Sequence, residues 1–348
     1  MKVLIVGLGA IGQRHLRNLR TLLKDGVQIS AYRTRGLTRV LTETLQVEAS
    51  TGLHEKYAVQ VYAQLDAALA ARPDAVFVCN PTSQHLPVAL AAARAGCAIF
   101  VEKPLSHDWE GVDELIDLVE EHRLVGMVGY QLRFHPALQA VQTLVRQGRI
   151  GRVLAVRAQV GEYLPAWHGY EDYRETYGAR ADLGGGALLS QIHEFDYLYW
   201  LFGLPRRVYT VGGHLSSLEI DVEDVASTLM ECEVDGLSFP VHLQQDYLQR
   251  PPSRGLEIIG DAGKLTLDLR QLTLCVFDAD GRAEEQSFAG LPRNQLFLDE
   301  LGHFLACLRA GASPVVSIRD GAQSLRMALA AKHSLSSGQV VALAGTPT

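Results

Sequence analysis

A glycine-rich turn between an apolar strand and a helix constrains the fold of this chain more than any other feature. Residues 3–6, VLIV, are a short apolar run typical of a buried parallel strand, and Gly7, Gly9 and Gly12 follow with the spacing GxGxxG. The next stretch, QRHLRNLRTLLK, carries leucines at helical spacing. In such a unit Gly7 permits the turn, Gly9 lets a pyrophosphate approach the helix N-terminus, and Gly12 lets helix and strand pack closely. The turn therefore predicts a dinucleotide-binding site.

Strand and helix patterns then alternate through the first third of the chain. Predicted elements follow in the order strand 27–33, helix 65–72, a strand that stops at a polar loop over 74–85, helix 86–97, strand 98–106, helix 109–123 and strand 124–134. This alternation indicates a doubly wound parallel sheet, in which ligands bind at the carboxyl ends of the strands. We predict a Rossmann domain over residues 1–127, with Gly9, Arg33, Asn80 and Lys103 in loops at one common edge.

The end of the second predicted strand bears on the choice of cofactor. A site for NAD usually has an acidic residue there, which binds the ribose 2′-hydroxyl. This chain has Arg33, Thr34 and Arg35 instead. Two guanidinium groups and a hydroxyl suit the 2′-phosphate of NADP, because arginine can bind phosphate through two charge-assisted hydrogen bonds. We predict NADP in preference to NAD; the alternative is that both arginines belong to a solvated loop.

Composition excludes several other classes of protein. The chain has 348 residues and a net charge of −7, without a dense stripe of Lys and Arg, which argues against a nucleic-acid partner. It shows no apolar run of transmembrane length and no signal peptide, so we expect no membrane partner. The five cysteines are scattered, as expected for reduced thiols in the cytoplasm. Neither a CxxC motif nor a helix with paired histidines is present, so we predict no metal site.

Longer, β-branched and partly alternating segments characterise the rest of the chain. They lie at 152–163, 206–217, 222–234 and 237–247, and Asp235-Gly236 is a hairpin signal between the last two. We predict an α+β domain over residues 128–348 that contains an antiparallel or mixed sheet with a few covering helices; the resemblance described below implies that this sheet is open and mostly antiparallel and that the domain binds substrate and carries the oligomer contacts. Its C-terminal helix could pack back on the first domain.

An aromatic segment, residues 163–183, lies between the first of these strands and a run of three glycines. Its candidate substrate contacts are the side chains of Trp167, His168, Tyr170, Arg174 and Arg180. Aromatic faces suit the C–H face of a sugar ring, and polar groups suit its hydroxyls. The two arginines could also meet a carboxylate or a phosphate. The alternative is a long loop held in place by its own aromatic side chains.

A single histidine stands inside the apolar helical pattern that follows the glycines. The stretch 184–203 reads GGGALLSQIHEFDYLYWLFG and contains His193, Glu194 and Asp196. Taken alone, His193 is either a core histidine with satisfied hydrogen bonds or an acid/base group that faces a cleft.

Taken together, these motifs resemble the Gfo/Idh/MocA family over essentially the whole chain. The matching segments are 7–15, 80–85, VEKPLS at 101–106, 130–136, 184–196, 258–267, 297–311 and the terminal helix around 322–336. The family consists mostly of NAD(P)-dependent oxidoreductases that act on sugars, sugar nucleotides, polyols and amino sugars. The resemblance implies a Rossmann domain followed by a domain with an open sheet, and a homodimer or homotetramer.

The resemblance also implies roles for individual residues. Lys103 would lie near the nicotinamide and touch the substrate hydroxyl, and His193 falls at the usual position of the catalytic histidine. Substrate contacts would also come from Arg133 and Glu194, with Asp196 supporting the helix. The implied cofactor contacts are Gly7, Gly9, Ala10, Ile11, Gly12, Arg33, Thr34, Arg35, Asn80, Pro81, Thr82, His85, Glu102, Lys103 and Gln131.

One position departs from the family pattern. Many relatives carry an aspartate three or four residues before the histidine, where this chain has Ser190 and Leu189. A serine cannot polarise an imidazole as a carboxylate does, so Lys103 would carry more of the proton transfer. We predict an oxidoreductase that moves a hydride between a nicotinamide and a carbinol carbon of a sugar-type substrate. Two alternatives are a redox-neutral enzyme with tightly bound NAD and a cofactor-binding regulator without catalysis.

Overall fold

Two β-sheets with packed helices make up the protein. The computed structural model describes residues 1–33, 39–42, 44–48 and 52–343, apart from the side chains of residues 54 and 55. Thr34 and Arg35 lie outside the described residues. The helices are α1 Ala10–Leu23, α2 Leu53–Tyr57, α3 Leu65–Ala70, α4 His85–Arg94, α5 Val112–Glu121, α6 Pro136–Arg146, α7 Ala187–Ser190, α8 His193–Phe202, α9 Arg293–Ala310 and α10 Ile318–Ser337. The strands are β1 Lys2–Val6, β2 Gln28–Tyr32, β3 Gln60–Tyr62, β4 Ala75–Val78, β5 Ala98–Glu102, β6 Gly126–Gly129, β7 Val153–Gly161, β8 Arg207–Gly213, β9 Val225–Val234, β10 Leu237–Asp246, β11 Ser253–Gly260, β12 Gly263–Asp268, β13 Thr273–Asp278, β14 Ala283–Ser287 and β15 Val341–Ala342.

The first sheet is parallel and confirms the predicted Rossmann architecture. Its six strands follow the order β3-β2-β1-β4-β5-β6, and every pairing between neighbours is parallel. All residues of β4 and β5 are buried, as expected for strands covered by helices on both faces. The order reverses direction between β1 and β4, so their carboxyl ends form the topological switch point where such sheets bind ligands.

The second sheet has nine strands in the order β14-β13-β12-β11-β7-β10-β9-β8-β15. Its pairings are antiparallel except for β7 with β10, which confirms the predicted open and mostly antiparallel sheet. Asp235 and Gly236 form the predicted hairpin turn between β9 and β10, with φ of +51° and +77°. Two left-handed residues suit this hairpin because their twist matches that of the flanking strands.

The C-terminal helices contact both halves of the chain. Helix α9 packs on α1, and the Phe304 ring lies 5.6 Å from that of Phe77 and 5.5 Å from that of Phe100, both in the first sheet. Helix α10 packs on β8, α8 and β6. Helix α10 therefore contacts a strand of each sheet, and α9 contacts the first sheet and α1.

The last strand of the first sheet is shorter than the apolar pattern predicts. The pattern extends over 124–134, whereas β6 ends at Gly129 and residues Gln131–Phe134 form a 3₁₀ turn. The turn directs Arg133 towards the carboxylate of Asp196 in α8. The local pattern of residues 124–134 contains no information about this distant partner. Among the described residues, none of the helices combines the length and hydropathy needed to span a bilayer.

Candidate active site

The glycine-rich turn brings β1 and α1 into close contact and leaves the helix N-terminus open. A Cβ added at Gly12 would lie 2.0 Å from the carbonyl oxygen of Gly7, whose own φ is +91°. A Cβ added at Gly9, the N-cap of α1, would meet nothing within 4 Å. The first turn, which begins with Ala10 and Ile11, contains no acidic side chain, and its amide groups lack helical acceptors. These features fit a dinucleotide pyrophosphate, which needs space, N–H donors and no competing negative charge.

The loop after β4 also faces this edge. The Asn80 side-chain Oδ1 is buried without a hydrogen-bond partner, while its Nδ2 donates to the Gln84 carbonyl at 3.1 Å. Pro81 and the buried Thr82 follow directly, and a Cβ added at Gly184 would lie 3.0 Å from that of Thr82. The glycine run of the second domain therefore touches the loop that carries the predicted cofactor contacts.

His85 occupies a supporting position instead of the predicted cofactor contact. Its Nδ1 lies 2.7 Å from the Pro104 carbonyl oxygen, and its Nε2 lies 2.8 Å from that of Asn80. Burial, the largest influence, lowers the pKa of His85, while the two carbonyl contacts act in the opposite direction. Because both nitrogens contact backbone carbonyls, the histidine ties the loop after β4 to the loop after β5.

The EKP motif places Glu102 and Lys103 at the end of β5. Glu102 is buried, with Oε1 2.6 Å from Nε2 of His15 in α1, so its carboxylate has a partner within the protein instead of the predicted cofactor. Lys103 Nζ donates to the carbonyl oxygen of Ser190 at 2.8 Å, across the junction between the domains. The Lys103–Pro104 peptide bond is cis. Lys103 is thus directed at the start of the helical segment that carries His193.

His193 is buried, yet only one of its ring nitrogens has a partner. It begins α8 and is 5% exposed. Nε2 lies 3.2 Å from Nε2 of Gln131, whereas Nδ1 is buried without a hydrogen-bond partner. An unpartnered buried polar atom is costly, so this ring is poorly explained as a satisfied core histidine. A ligand hydroxyl at Nδ1 would remove the penalty.

Positive charges surround His193 in place of the missing family aspartate. Burial is the largest influence, and Lys103 and Arg254 add to it; together they hold the pKa of His193 well below its ordinary value. The ring is therefore neutral at physiological pH. Ser190 contributes its carbonyl oxygen to Lys103, in line with the expectation that no carboxylate polarises the imidazole from this position.

The two other polar residues of this helix are engaged in buried ion pairs. Glu194 is fully buried and binds Arg254 through two hydrogen bonds of 2.7 and 3.0 Å. Asp196 binds Arg133 through two bonds of 2.8 Å and also accepts from Ser324 at 2.9 Å. Arg133 and Glu194, both predicted to contact substrate, thus have partners within the protein and anchor α8 instead.

The aromatic segment 163–183 is partly packed and partly open. Trp167 stacks edge-on against Tyr247 with ring centroids 5.2 Å apart, and its buried Nε1 has no hydrogen-bond partner. His168 Nδ1 lies 3.3 Å from a Glu171 carboxylate oxygen, and the His168 and Tyr170 rings lie 5.4 Å apart. These contacts within the protein fit the alternative of a loop held by its aromatic side chains, and the substrate contacts of the segment stay a prediction.

The two arginines of the aromatic segment have carboxylate partners. Arg174 binds Asp172 at 2.6 Å and Glu219 at 2.9 Å, and Arg180 binds Asp182 at 2.7 Å. All of these side chains are largely exposed to solvent. The structure therefore gives both arginines partners other than the acidic substrate group considered from the sequence.

Arg254 and Arg39 belong to this region but carry no recognisable sequence signal. Arg254 lies in β11 and reaches Glu194 from 60 residues away in sequence. Arg39 follows β2 and donates to the carbonyl oxygen of Tyr170 at 2.8 Å. Both depend on tertiary contacts, which no local pattern of residue types reveals.

Arg254 also acts on His135, which makes the stability of the fold dependent on pH. His135 caps α6 by accepting from Ala137 N at 3.1 Å, and burial, with Arg254, lowers its pKa from 6.5 to about 4. Between these values the unfolded chain binds more protons than the folded one, so stability is lost as pH falls. His135→Asn keeps a side chain that can cap the helix but does not titrate in this range. As pH falls, we expect the free energy of unfolding of this variant to decrease by about 1.4 kcal/mol less per pH unit than that of the wild type.

The check is urea unfolding of both proteins at about pH 7 and about pH 5. Equal losses of stability in the wild type and in His135→Asn over this interval would rule out His135 as the titrating group.

Comparison with known proteins matches both halves of the chain. Residues 1–130 match the family model GFO_IDH_MocA, described as an oxidoreductase family with an NAD-binding Rossmann fold. Residues 138–266 match the GFO/IDH/MocA C-terminal domain.

Individual relatives match over almost their full length. Myo-inositol 2-dehydrogenase of Thermotoga maritima is 29% identical over 99% of this chain and 98% of its own. The scyllo-inositol 2-dehydrogenase (NAD(+)) of Bacillus subtilis is 27% identical over 97% of this chain and 95% of its own. The crystal structure of WlbA dehydrogenase from Bordetella pertussis, in complex with NADH and UDP-GlcNAcA, superimposes with a TM-score of 0.80. Its identity is 23%, and 99% of both chains is covered, so this likeness concerns the fold.

Proposed function

Because the chain belongs to the GFO/IDH/MocA oxidoreductase family, we propose that Lys103 transfers the proton and His193 orients the substrate hydroxyl during hydride exchange at a sugar or polyol carbon. The observation that carries this proposal is the hydrogen bond from Lys103 Nζ to the carbonyl oxygen of Ser190, a residue three positions before His193. Lys103 reaches Ser190 from the end of β5, and its charge acts on His193 at the start of α8. Both lie at the domain junction, on the edge of the sheet that carries the glycine-rich turn.

The two residues have different chemical roles in this proposal. A bound dinucleotide supplies the hydride acceptor or donor. During alcohol oxidation the neutral amine form of Lys103 Nζ takes the proton of the substrate hydroxyl and becomes an ammonium; in the reverse direction the ammonium returns that proton. His193 is neutral because its pKa is lowered, so it orients the hydroxyl through the unpartnered Nδ1. The hydrogen bond from Lys103 Nζ to the Ser190 carbonyl holds this nitrogen in place, and both the amine and the ammonium form can donate it.

A neutral polyol or sugar fits the surroundings better than an acidic substrate. Trp167 and Tyr170 supply aromatic surface, and the Trp167 Nε1 is a buried donor without an acceptor. Arg174 and Arg180, the two cations of the aromatic segment, are already paired with carboxylates. The named activities of the Thermotoga and Bacillus relatives, which are inositol dehydrogenases, support the same substrate class.

The test of this function combines binding with turnover. The full-length protein is titrated with NADH, NADPH and their oxidised forms, and then assayed against a panel of inositols, free sugars and nucleotide sugars. We expect dinucleotide binding and production of reduced nucleotide with at least one cyclic polyol or sugar. A protein that binds none of the four dinucleotides would refute the proposal.

NADP is the cofactor form favoured by the residue at the end of β2. Arg33 is half-buried, burial lowers its pKa, and its guanidinium has no ion-pair partner among the described residues. A cation in this position is available to a 2′-phosphate. NAD is the competing choice, since it is the cofactor named for the family and for the Bacillus relative.

We expect Arg33→Asp to lower the ratio of kcat/KM with NADP to kcat/KM with NAD by at least roughly tenfold, the value of one charged hydrogen bond. The change removes a phosphate ligand and adds a repelling charge. Steady-state kinetics with both cofactors measure the ratio, and NAD serves as the internal control. An unchanged ratio would assign Arg33 to the solvated loop and leave NAD as the cofactor.

The open face of the second sheet supports assembly into a homodimer or homotetramer. Val211 and Leu229 are 50% and 51% exposed, and Tyr209 pairs directly with Leu229 and is 39% exposed. Adjacent apolar side chains on an exposed sheet are typical of a surface that another subunit covers.

A further inference from the structure

A chain of hydrogen bonds runs from the glycine-rich turn towards the aromatic segment 163–183. It begins at Gln13 of α1, whose side chain is 1% exposed. The Gln13 amide group donates to the carbonyl oxygens of Leu8 at 3.1 Å and Arg39 at 3.0 Å, and its oxygen accepts from Leu41 N at 2.8 Å. Gln13 therefore ties the stretch around Arg39 to the turn that fits the pyrophosphate.

The side chain of Arg39 continues the connection into the second domain. Its Nη1 donates to the carbonyl oxygen of Tyr170 at 2.8 Å, and its guanidinium carbon lies 5.6 Å from the centroid of the Tyr170 ring. The second distance is within the range of a cation–π interaction. Arg39 thus holds both the backbone and the ring of one residue in the aromatic segment.

We infer that Arg39 is a positioning residue that couples dinucleotide binding to the ordering of the aromatic segment. This inference rests on the proposed function, in which the dinucleotide occupies the glycine-rich turn and the segment faces the substrate. A dinucleotide at the turn restrains Leu8 and, through Gln13, the position of Arg39. The aromatic segment then loses less conformational entropy when it closes on substrate. Because coupling between binding sites is reciprocal, substrate tightens the dinucleotide by the same factor.

Hydrogen exchange of the full-length protein tests this coupling without any assay of activity. Amide exchange in residues 163–183 is measured with and without NADH, and with NADPH in parallel. In the wild type we expect the tighter-binding dinucleotide to slow exchange of the segment by roughly fivefold or more, the lower end of typical coupling. In Arg39→Gln we expect a ratio near one while the dinucleotide still binds. Arg39→Lys, which keeps the charge and one donor, should restore part of the slowing.

Arg17→Gln is the matched control, because this arginine holds the same stretch without reaching the aromatic segment. Arg17 Nη1 donates to the carbonyl oxygen of Leu41 at 2.9 Å, and among the described residues its other hydrogen bond is to Tyr57. We expect slowing as in the wild type.

Two results would overturn the coupling: undiminished slowing in Arg39→Gln, or no slowing in a wild-type protein that binds the dinucleotide. A wild type that binds neither NADH nor NADPH would instead overturn the proposed function.

Discussion

We expect Lys103→Met to lower kcat by at least roughly a hundredfold, the usual contribution of a positioned proton-transfer group. Lys103 is the polar side chain at the end of β5 that reaches across the domain junction, where Nζ lies 2.8 Å from the Ser190 carbonyl oxygen. His193 is a poor substitute as the proton carrier, because burial, the largest influence, and Arg254 still lower the pKa of that ring when Lys103 is replaced. Steady-state kinetics with saturating cofactor and substrate provide the measurement.

Lys103→Arg separates proton transfer from a simple structural role. Arginine retains the positive charge and could donate to the Ser190 carbonyl, but it stays protonated in proteins and cannot accept the hydroxyl proton. We therefore expect this variant to bind the dinucleotide and to remain slow. Recovery of most activity in Lys103→Arg would assign Lys103 to holding Ser190, and near-normal turnover in Lys103→Met would reject any catalytic role.

The first domain was predictable because its signals are local. The spacing of Gly7, Gly9 and Gly12 follows from the contacts of one strand, one turn and one helix. The whole signal therefore lies within a short continuous stretch of the sequence. The buried strands β4 and β5 are also recognisable in the sequence, because each is a short run of mainly apolar residues. The edge strand β3 was missed, because it has only three residues and lacks the buried apolar run of the other strands.

The partners of the polar residues near the site were not predictable, because they come from distant segments. Arg133 and Glu194 have the residue types expected for substrate contacts. Their actual partners are Asp196, 63 residues from Arg133, and Arg254, 60 residues from Glu194. A charged side chain at a domain junction either faces a ligand or neutralises a buried charge, and local sequence does not distinguish these outcomes.

The charges around His193 were also only partly predictable from the sequence. The sequence revealed the absence of an aspartate at Ser190 and Leu189. It did not reveal that Arg254 adds a second positive charge near the ring. The charges that act on the histidine are therefore positive, which supports the proposal that Lys103 transfers the proton.

The buried pair between Arg133 and Asp196 should be the most sensitive ionic contact for the stability of the protein. Asp196 is fully buried, and Arg133 is 5% exposed. We expect Arg133→Met to lower the free energy of unfolding by about 3–5 kcal/mol, because it leaves an uncompensated carboxylate in the interior. The pair links the turn after β6 to α8, and Asp196 also binds Ser324 of α10, so its loss also loosens the support of His193.

Arg319→Met is the matched control for this prediction. Arg319 binds Glu120 through the same two-bond geometry, but the two side chains are 55% and 52% exposed. A pair of this kind contributes less than about 1 kcal/mol, because solvent screens it. Urea unfolding of the wild type and both variants at one pH gives the comparison. If the two substitutions lowered the free energy of unfolding equally, the unpaired carboxylate in the interior would not be the cause of the larger expected loss.

A double substitution distinguishes the stranded charge from lost packing. Arg133→Met combined with Asp196→Leu removes both ions of this pair and places apolar side chains in the buried space; Asp320, the second carboxylate near Arg133 at 3.2 Å, remains but is 26% exposed to solvent. Because the main cost of the single change is the unpaired Asp196 carboxylate, we expect the double variant to recover most of the lost stability. A double variant as unstable as Arg133→Met would show that the shape of the ion pair, and not its charge balance, holds α8 in place.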